Sequence, residues 1–322
     1  MKRNVAKFSV AMCTYNGAQF VREQLDSIAA QTRRPDELVV CDDRSTDATI
    51  ELVRGFARRA PFTVRLYVNE KNLGSTKNFE RVIDLCEGDL IALADQDDVW
   101  LPEKLQRLEH ALEDEEVGLA FTDGEVVDES LHPLGPRVWE TIRFGEQEQR
   151  LFREGRGFAV LLDHNVATGA AMALKARFKE LILPIPNDLV HDGIPVLHDW
   201  WAALLVAAVA KVSFIPELLF KYRQHSSQQM GVTAPLHATA RHGNRFSPEI
   251  DYLRAIIERL QALPFRADVL SDLEARLKHL ETRATMPEGR TRRVAPVLRE
   301  LLARRYHLYS NGVRSATKDF LD

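Results

Sequence analysis

The sequence predicts an α/β protein: a mostly parallel sheet with helices on both faces, followed by a C-terminal α-helical appendage. Three observations carry this. Strand-like and helix-like patterns alternate over the first 122 residues. Three of the strand patterns run into polar clusters at their carboxyl ends. A break in charge balance falls near residue 240, with 27 basic and 36 acidic side chains before Arg241 and 16 and 11 from there on.

Taken in order, apolar and β-branched runs at Phe8–Cys13, Glu37–Cys41, Thr63–Val68, Asp89–Ala94 and Val117–Thr122 read as strands. Between them the apolar positions take a helical period: Phe20, Val21, Leu25 and Ile28; Ile50, Val53, Phe56 and Ala57; Phe79, Val82, Ile83 and Cys86. Such alternation implies a mostly parallel sheet covered on both faces. Ser45 and Ser75 are suitable N-caps for the second and third helices. Residues 123–165, with Pro133, Pro136 and scattered Gly, read as an insertion with loops. A strand is expected at Thr168–Leu174, a helix at His198–Ala210, and a further strand ending in YRQH at Tyr222–His225. Residues 248–285 and 291–309 have the pattern of amphipathic helices.

The 322 residues have an ordinary globular composition, 45% hydrophobic and 28% charged. Three cysteines, Cys13, Cys41 and Cys86, give neither a disulfide framework nor a CxxC metal spacing, and fit a reducing cytoplasm. The longest apolar run, Trp200 to Ala210, is about half of the ~20 residues that a spanning helix needs. A formal charge of −4 gives no reason to expect a nucleic-acid partner.

No GxGxxG follows a strand and no GxxxxGK[ST] occurs, so phosphate binding by a glycine cradle is excluded. The acidic strand end LADQDDVW offers another route. Asp95, Asp97 and Asp98 lie within four residues and repel one another unless something positive sits among them. Mg²⁺ or Mn²⁺ is held by one or two carboxylates together with substrate phosphates, which this motif can provide. A plain turn is the competing reading, most easily for Asp98, which could cap the following helix.

The other clusters are equally two-sided. In CDDRSTD, Asp43, Ser45 and Asp47 either cap the second helix or offer a carboxylate to a base or ribose. After the first strand, Thr14, Tyr15 and Asn16 could wall a base pocket, with Tyr15 as the stacking face. In HDWW, Asp199 sits in the first turn of a helix, either as a cap or as a base aimed at an acceptor hydroxyl. Of Trp200 and Trp201, at least one belongs in the core and the other can line an acceptor pocket. In YRQH, Arg223 could face a phosphate and His225 a metal ion.

These blocks resemble, in order, the inverting family-two glycosyltransferases of the GT-A (Rossmann-like) fold, over roughly residues 7–230. The segments are SVAMCTYNGAQFVREQLDSIAAQT, ELVVCDDRSTDATIELV, NEKNLGSTKNFERVI, DLIALADQDDVWLPEKL, HDWW and YRQH. The last three look closest to a bacterial rhamnosyltransferase-like branch that builds cell-surface polysaccharides. The resemblance implies a nucleotide-sugar-dependent catalytic domain over residues 1–235 and an appendage over 241–322. It implies a dTDP- or UDP-sugar donor, L-rhamnose as candidate sugar, and a glycan or lipid-linked glycan acceptor. Asp43 would contact the base and Asp95 the ribose, with Thr14, Tyr15, Asn16, Asn72, Lys77 and Arg223 also around the nucleotide. Asp97 and His225 would hold the divalent cation, Asp199 would be the base, and Trp200 and Trp201 would meet the acceptor. Two departures stand out: Gln228 where that branch often has Asn, and His198 where many relatives have Glu.

Two other classes compete. A sugar-1-phosphate nucleotidyltransferase would want a Gly-rich, basic loop after the first strand, and CTYNGAQF is not one. A non-catalytic assembly subunit would be expected to lack carboxylates that are all present here. In the appendage, Arg290, Arg292, Arg293, Arg299, Arg304 and Arg305 alternate with Val297, Leu298, Leu301 and Leu302. That pattern suits either an anionic membrane surface, on the inner face of the plasma membrane, or a leucine stripe packed onto the catalytic domain or onto a second subunit of a homodimer, with the arginines solvated.

Overall fold

The computed structural model describes residues 6–226, 228, 246–261 and 267–321. The chain divides into two compact units, Met1–Asn187 with Leu197–Ala234, and Asp188–Val196 with Pro235–Asp322. The composition break near residue 240 and the expected boundary at 235–241 lie outside the described residues.

In the first unit the strands are β1 (Phe8–Thr14), β2 (Glu37–Asp42), β3 (Thr63–Val68), β4 (Leu90–Ala94), β5 (Val99–Trp100), β6 (Val117–Val127), β7 (Pro133–Arg137) and β8 (Met172–Lys175). The second unit contributes a small hairpin of β9 (Val190–His191) and β10 (Ile194–Pro195), and β11 (Lys211–Arg223) returns to the first. The large sheet runs β3-β2-β1-β4-β8-β6-β11-β5, with β7 beside β6. β3, β2, β1 and β4 are parallel, as are β6 and β11; β8 runs antiparallel between β4 and β6. The sheet is therefore mixed. Reversal at β8 follows from the chain returning through residues 123–171 rather than through one crossover helix.

β1, β2 and β4 are buried on both faces, which is why their sequences are continuous apolar runs rather than alternations. On one face Phe8, Val10, Met12, Leu38, Val40, Leu90 and Ala92 pack on the apolar stripes of α1 (Val21–Ala29), α2 (Thr49–Ala57) and, after α3 (Ser75–Leu85), α4 (Lys104–Leu112). α3 packs against β1 and β2. Neither expected serine cap forms. α2 starts at Thr49, where Asp47 Oδ1 accepts the Thr49 amide at 3.0 Å, and Ser75 is already helical. Ser45 is drawn instead to Asp42.

Residues 123–165 are not a loose insertion. They form the end of β6, β7 and three short helices, α5 (Val138–Thr141), α6 (Glu146–Arg153) and α7 (Gly157–Asp163). Trp139 of α5, Phe144 of the link after it and Phe152 of α6 meet Phe121 of β6 and Phe214 of β11, with ring centroids 4.8–6.3 Å apart and edge-to-face or tilted. Aromatic spacing in this stretch follows no single period, which is why the pattern hides the core it builds. α8 (Lys179–Ile182) and α9 (His198–Val209) complete the unit.

The second unit holds α10 (Ser247–Gln261), α11 (Ala267–Ala284), α12 (Arg290–Leu302), α13 (Arg305–Tyr309) and α14 (Val313–Leu321). α14 is missing from the sequence reading. Within this unit Glu249 of α10 accepts from the Asp192 amide of the hairpin at 2.6 Å and pairs with His191 at 2.5 Å.

Truncating Phe144, which is fully packed among four other aromatic rings, tests the status of residues 123–165. Phe144→Ala is expected to cost about 3–5 kcal/mol in urea unfolding, as for other large core aromatics. A loss below about 0.5 kcal/mol would mean that the segment is a surface loop after all.

Candidate active site

The carboxyl ends of β1, β2 and β4 bring the polar clusters to one edge of the sheet, where open α/β sheets bind ligands. Their loops are tied by side chains. Gln96 brackets Tyr15, accepting its amide at 2.8 Å and donating to its carbonyl at 3.0 Å. A Cβ on Gly17 would lie 2.1 Å from Gln96 Oε1, so only glycine leaves room for that amide. Asn16, at φ +47°, takes a left-handed conformation that Asn tolerates, and accepts the Thr46 amide at 2.8 Å. Gln24 of α1 donates to the Asp95 carbonyl at 2.9 Å.

At the acidic loop, Asp97 Oδ2 and His225 Nε2 are 2.8 Å apart. Asp98 Oδ1 accepts the Arg223 amide at 3.1 Å, while its Oδ2 is buried without a hydrogen-bond partner. Burial, then the charges of Asp97 and Asp95, push the Asp98 carboxyl well above its ordinary range. Burial, followed by Asp97 and Asp199, raises Asp95 to about 7. Beneath them lies Lys104, a buried cation at the start of α4. It stands 4.0 Å from the Trp100 ring and 4.7 Å from the Phe220 ring and donates to the Ala170 carbonyl. Burial lowers its ammonium to about 7 against the pull of Asp98 and Asp95.

Asp199 lies in the first turn of α9. Its Oδ2 accepts the Gly169 amide at 3.1 Å and its Oδ1 the Trp200 amide at 2.7 Å. Each oxygen keeps a second acceptor direction. The charge of Asp199 is felt at Asp95, and all four carboxylates, Asp98, Asp95, Asp97 and Asp199, act after burial to raise the Tyr222 phenol. HDWW, YRQH and DQDD thus converge, although 99 residues lie between Asp98 and His198.

Not every expected residue is available. Trp200 and Trp201 are 2% and 1% exposed, with their indole N–H groups on the Leu161 and Ile182 carbonyls at 2.6 and 3.0 Å. Both anchor α9, so an acceptor-stacking role for either is corrected. Arg223 is also committed: Nε donates to the Asp97 carbonyl at 2.7 Å, Nη1 to the Glu129 carbonyl, and Nη2 to Glu23, with the guanidinium over Phe20 at 4.6 Å. It clamps the acidic loop instead of facing open space. Thr14 donates to buried Asp42 at 2.7 Å, and Lys77 is held by Glu80 and the Ile185 carbonyl, each at 2.7 Å. Asp43 takes three donors, Leu73 N and Asn69 Nδ2 on Oδ1 at 2.7 Å and Gly74 N on Oδ2 at 2.9 Å, which leaves about one of its four acceptor directions. Asn72 reaches the Asp43 carbonyl at 3.4 Å. Tyr15, half exposed, presents an open ring.

Sequence reasoning missed Lys104, Tyr222, Gln96 and Asp42. Gln228, the departure from the expected Asn, accepts the His225 amide at 2.7 Å and closes the turn that carries this histidine.

Among the described residues no three His, Cys, Asp or Glu side chains are grouped for an ion. Asp97 and His225 can supply two donors, an oxygen and an imidazole nitrogen, to Mg²⁺ or Mn²⁺. That set fits an ion whose remaining ligands are diphosphate oxygens and water, as hard cations prefer at nucleotide sites.

The fold is an open, mostly parallel α/β sheet whose polar clusters gather at one carboxyl edge. The family model for Glycosyl transferase family 2 matches residues 9–178, and the chain belongs to that family. It is 35% identical over 241 residues to the dTDP-rhamnosyl transferase RfbG of Shigella flexneri, covering 70% of this chain and 76% of that one. An uncharacterised protein of Mycobacterium tuberculosis is 27% identical over 221 residues, covering 68% of this chain but only 59% of its own length. Among solved structures, TarS 1-349 of S. aureus in complex with UDP-GlcNAc aligns with a TM-score of 0.60 and 16% identity, over 94% of this chain and 84% of that one. The mannosyltransferase PcManGT of Pyrobaculum calidifontis, in complex with GDP-Man and Mn²⁺, aligns with a TM-score of 0.52 and 17% identity, over 94% and 76%. These likenesses give the chain the GT-A fold.

Arg223 separates a clamp from a phosphate ligand. Arg223→Lys keeps the charge but loses the planar fork, and is expected to lower stability by about 2 kcal/mol, less than for a fully buried pair because Glu23 is half exposed. Unchanged thermal unfolding combined with a raised KM for donor would restore the phosphate role.

Proposed function

We propose that this protein is an inverting glycosyltransferase that transfers a sugar, L-rhamnose as first candidate, from a dTDP- or UDP-sugar to a hydroxyl of a glycan acceptor in bacterial cell-surface polysaccharide synthesis. The observation that carries it is the convergence of Asp95, Asp97 and Asp199 at the carboxyl edge of the sheet, with Asp199 held between two backbone N–H groups. Identity to a dTDP-rhamnosyl transferase over most of both chains supports the donor. A complex of TarS with UDP-GlcNAc supports the nucleotide-sugar class more widely.

Asp43 receives a base N–H in its last acceptor direction, Tyr15 stacks on the base, and Asp95 accepts a ribose hydroxyl. Thr14 and Asn16 shape this wall by fixing Asp42 and the loop of Thr46. Asp97 and His225 would hold Mg²⁺ or Mn²⁺; a neighbour of the same fold was solved with Mn²⁺ and a nucleotide sugar. The chemistry supplied there by a bound ion would be to offset charge on the departing diphosphate. Arg223 keeps Asp97 in place through its backbone carbonyl. Asp199 takes the proton of the acceptor hydroxyl as its oxygen bonds to the anomeric carbon. The bond from that carbon to the diphosphate oxygen breaks, and the electron pair leaves with the diphosphate. One displacement from the opposite face inverts the centre. The acceptor is a glycan, lipid-linked on the reading that places the chain at a cytoplasmic membrane face. A non-catalytic subunit would be expected to lack these carboxylates, and Asp43, Asp95, Asp97 and Asp199 are all present.

Asp199→Asn keeps the size of the side chain and removes the base. Turnover is expected to fall by about 10²–10⁴-fold, while folding and donor affinity persist. Near-native turnover, or product with retained anomeric configuration by NMR, would contradict the mechanism. Separately, excess chelator should abolish transfer, and Mg²⁺ or Mn²⁺ should restore it. Asp97→Ala should weaken nucleotide-diphosphate binding only when the ion is present. Full activity in chelator would remove the ion from the account.

A further inference from the structure

We propose that the last three helices, α12 to α14, carry a surface that docks on an anionic lipid bilayer. Ten large hydrophobic side chains are exposed across the described residues, and six of them lie between residues 294 and 321: Val294, Leu298, Leu302, Leu308, Val313 and Leu321. On α12, Val294, Leu298 and Leu302 are spaced by four and share one face. Leu302 is 85% exposed and Leu298 51%. This stripe is not the packing face. The local core uses Val297, Tyr306 and Ala316, with Met286, Leu301 and Phe320 around them. The leucines are therefore left over after the helices have packed.

Charge then selects the partner. Between residues 290 and 321 the only carboxylates are Glu300 and Asp319, and both are buried. Glu300 is paired with His279 at 2.7 Å and Arg305 at 2.8 Å, and Asp319 with Arg283 at 2.6 Å and the Tyr306 hydroxyl at 2.9 Å. Arg290, Arg292, Arg299, Arg304, Arg314 and Lys318 are exposed. Every acid in the segment is turned inward, while six cations and six apolar side chains face out. A bilayer with anionic head groups satisfies both features at once, the leucines in the acyl boundary and the cations at the phosphates. A second copy of this surface would oppose arginine to arginine. A nucleic acid would leave the leucines in water. None of the described helices is long and apolar enough to cross a membrane, so the contact is interfacial.

The test is flotation of the intact chain with vesicles of phosphatidylcholine, alone or mixed equally with phosphatidylglycerol, at low and high salt. Binding is expected to the mixed vesicles, about tenfold or more above the neutral ones, and to weaken with salt. Leu298→Asp with Leu302→Asp should reduce it by about tenfold or more. Arg292→Gln with Arg299→Gln should reduce it by about fivefold for each arginine. All four side chains are exposed, so thermal unfolding of both variants should match the parent. No binding, equal binding to neutral vesicles, or unchanged binding by the leucine variant would overturn the proposal. So would parent self-association that the leucine variant abolishes, without vesicle binding, since the surface would then be a self-interface. Vesicle binding does not depend on donor or acceptor, so its failure leaves the glycosyl-transfer reading untouched.

Discussion

Mutual repulsion among Asp95, Asp97 and Asp98 is the constraint around which the first unit is built. Three carboxylates on one strand end cannot all stay charged and buried without compensation. The fold supplies it from three directions. Lys104 lies beneath the loop between Trp100 and Phe220. Arg223 enters from β11 and binds the Asp97 carbonyl, and His225 meets the Asp97 carboxylate. Even so, Asp95 and Asp98 are held above the ordinary carboxylate range. Burial is the first cause of both shifts, and the neighbouring carboxylate charges come second.

Neutral tethers do much of the positioning around that charge. Gln24 holds the Asp95 carbonyl, Gln96 holds the Tyr15 backbone, and Gln31 links the Leu101 carbonyl at 2.8 Å to the Leu105 amide at 3.0 Å. Amides orient the loops without adding to the repulsion or cancelling the field offered to a ligand. Asp199 is oriented in the same way, by two backbone N–H groups rather than by a cation.

Much of this was legible in the sequence, and the exceptions have physical reasons. The continuous apolar runs of β1, β2 and β4 announce strands buried on both faces, and their polar ends announce the edge where the polar loops are tied together. Asp97 and His225 were expected to share a role, and they touch. Lys104 was invisible because PEKLQ reads as the start of an exposed helix; only the tertiary fold puts that lysine under the acids. Of Trp200 and Trp201 at least one was expected in the core and the other at an acceptor pocket, yet Leu161 and Ile182 offer each indole a carbonyl and both are buried. Arg223 was misread for a similar reason, since its partners Glu23 and Glu129 come from segments far away in the chain. The aromatic core of residues 121–152 escaped because its rings follow neither a helical nor a strand period.

The central claim is that the crowded carboxylates are a half-site, completed by a dication and a nucleoside diphosphate together. The most direct measurement is the thermal unfolding midpoint with dTDP or UDP, with Mn²⁺, with both, and with both in excess chelator. The account predicts little change with either alone and a clear rise with both, since a ligand at about a hundred times its Kd stabilises the native state by about 2.7 kcal/mol. Chelator should erase that rise. An equal rise with the diphosphate in chelator, or no rise with any combination, would contradict it.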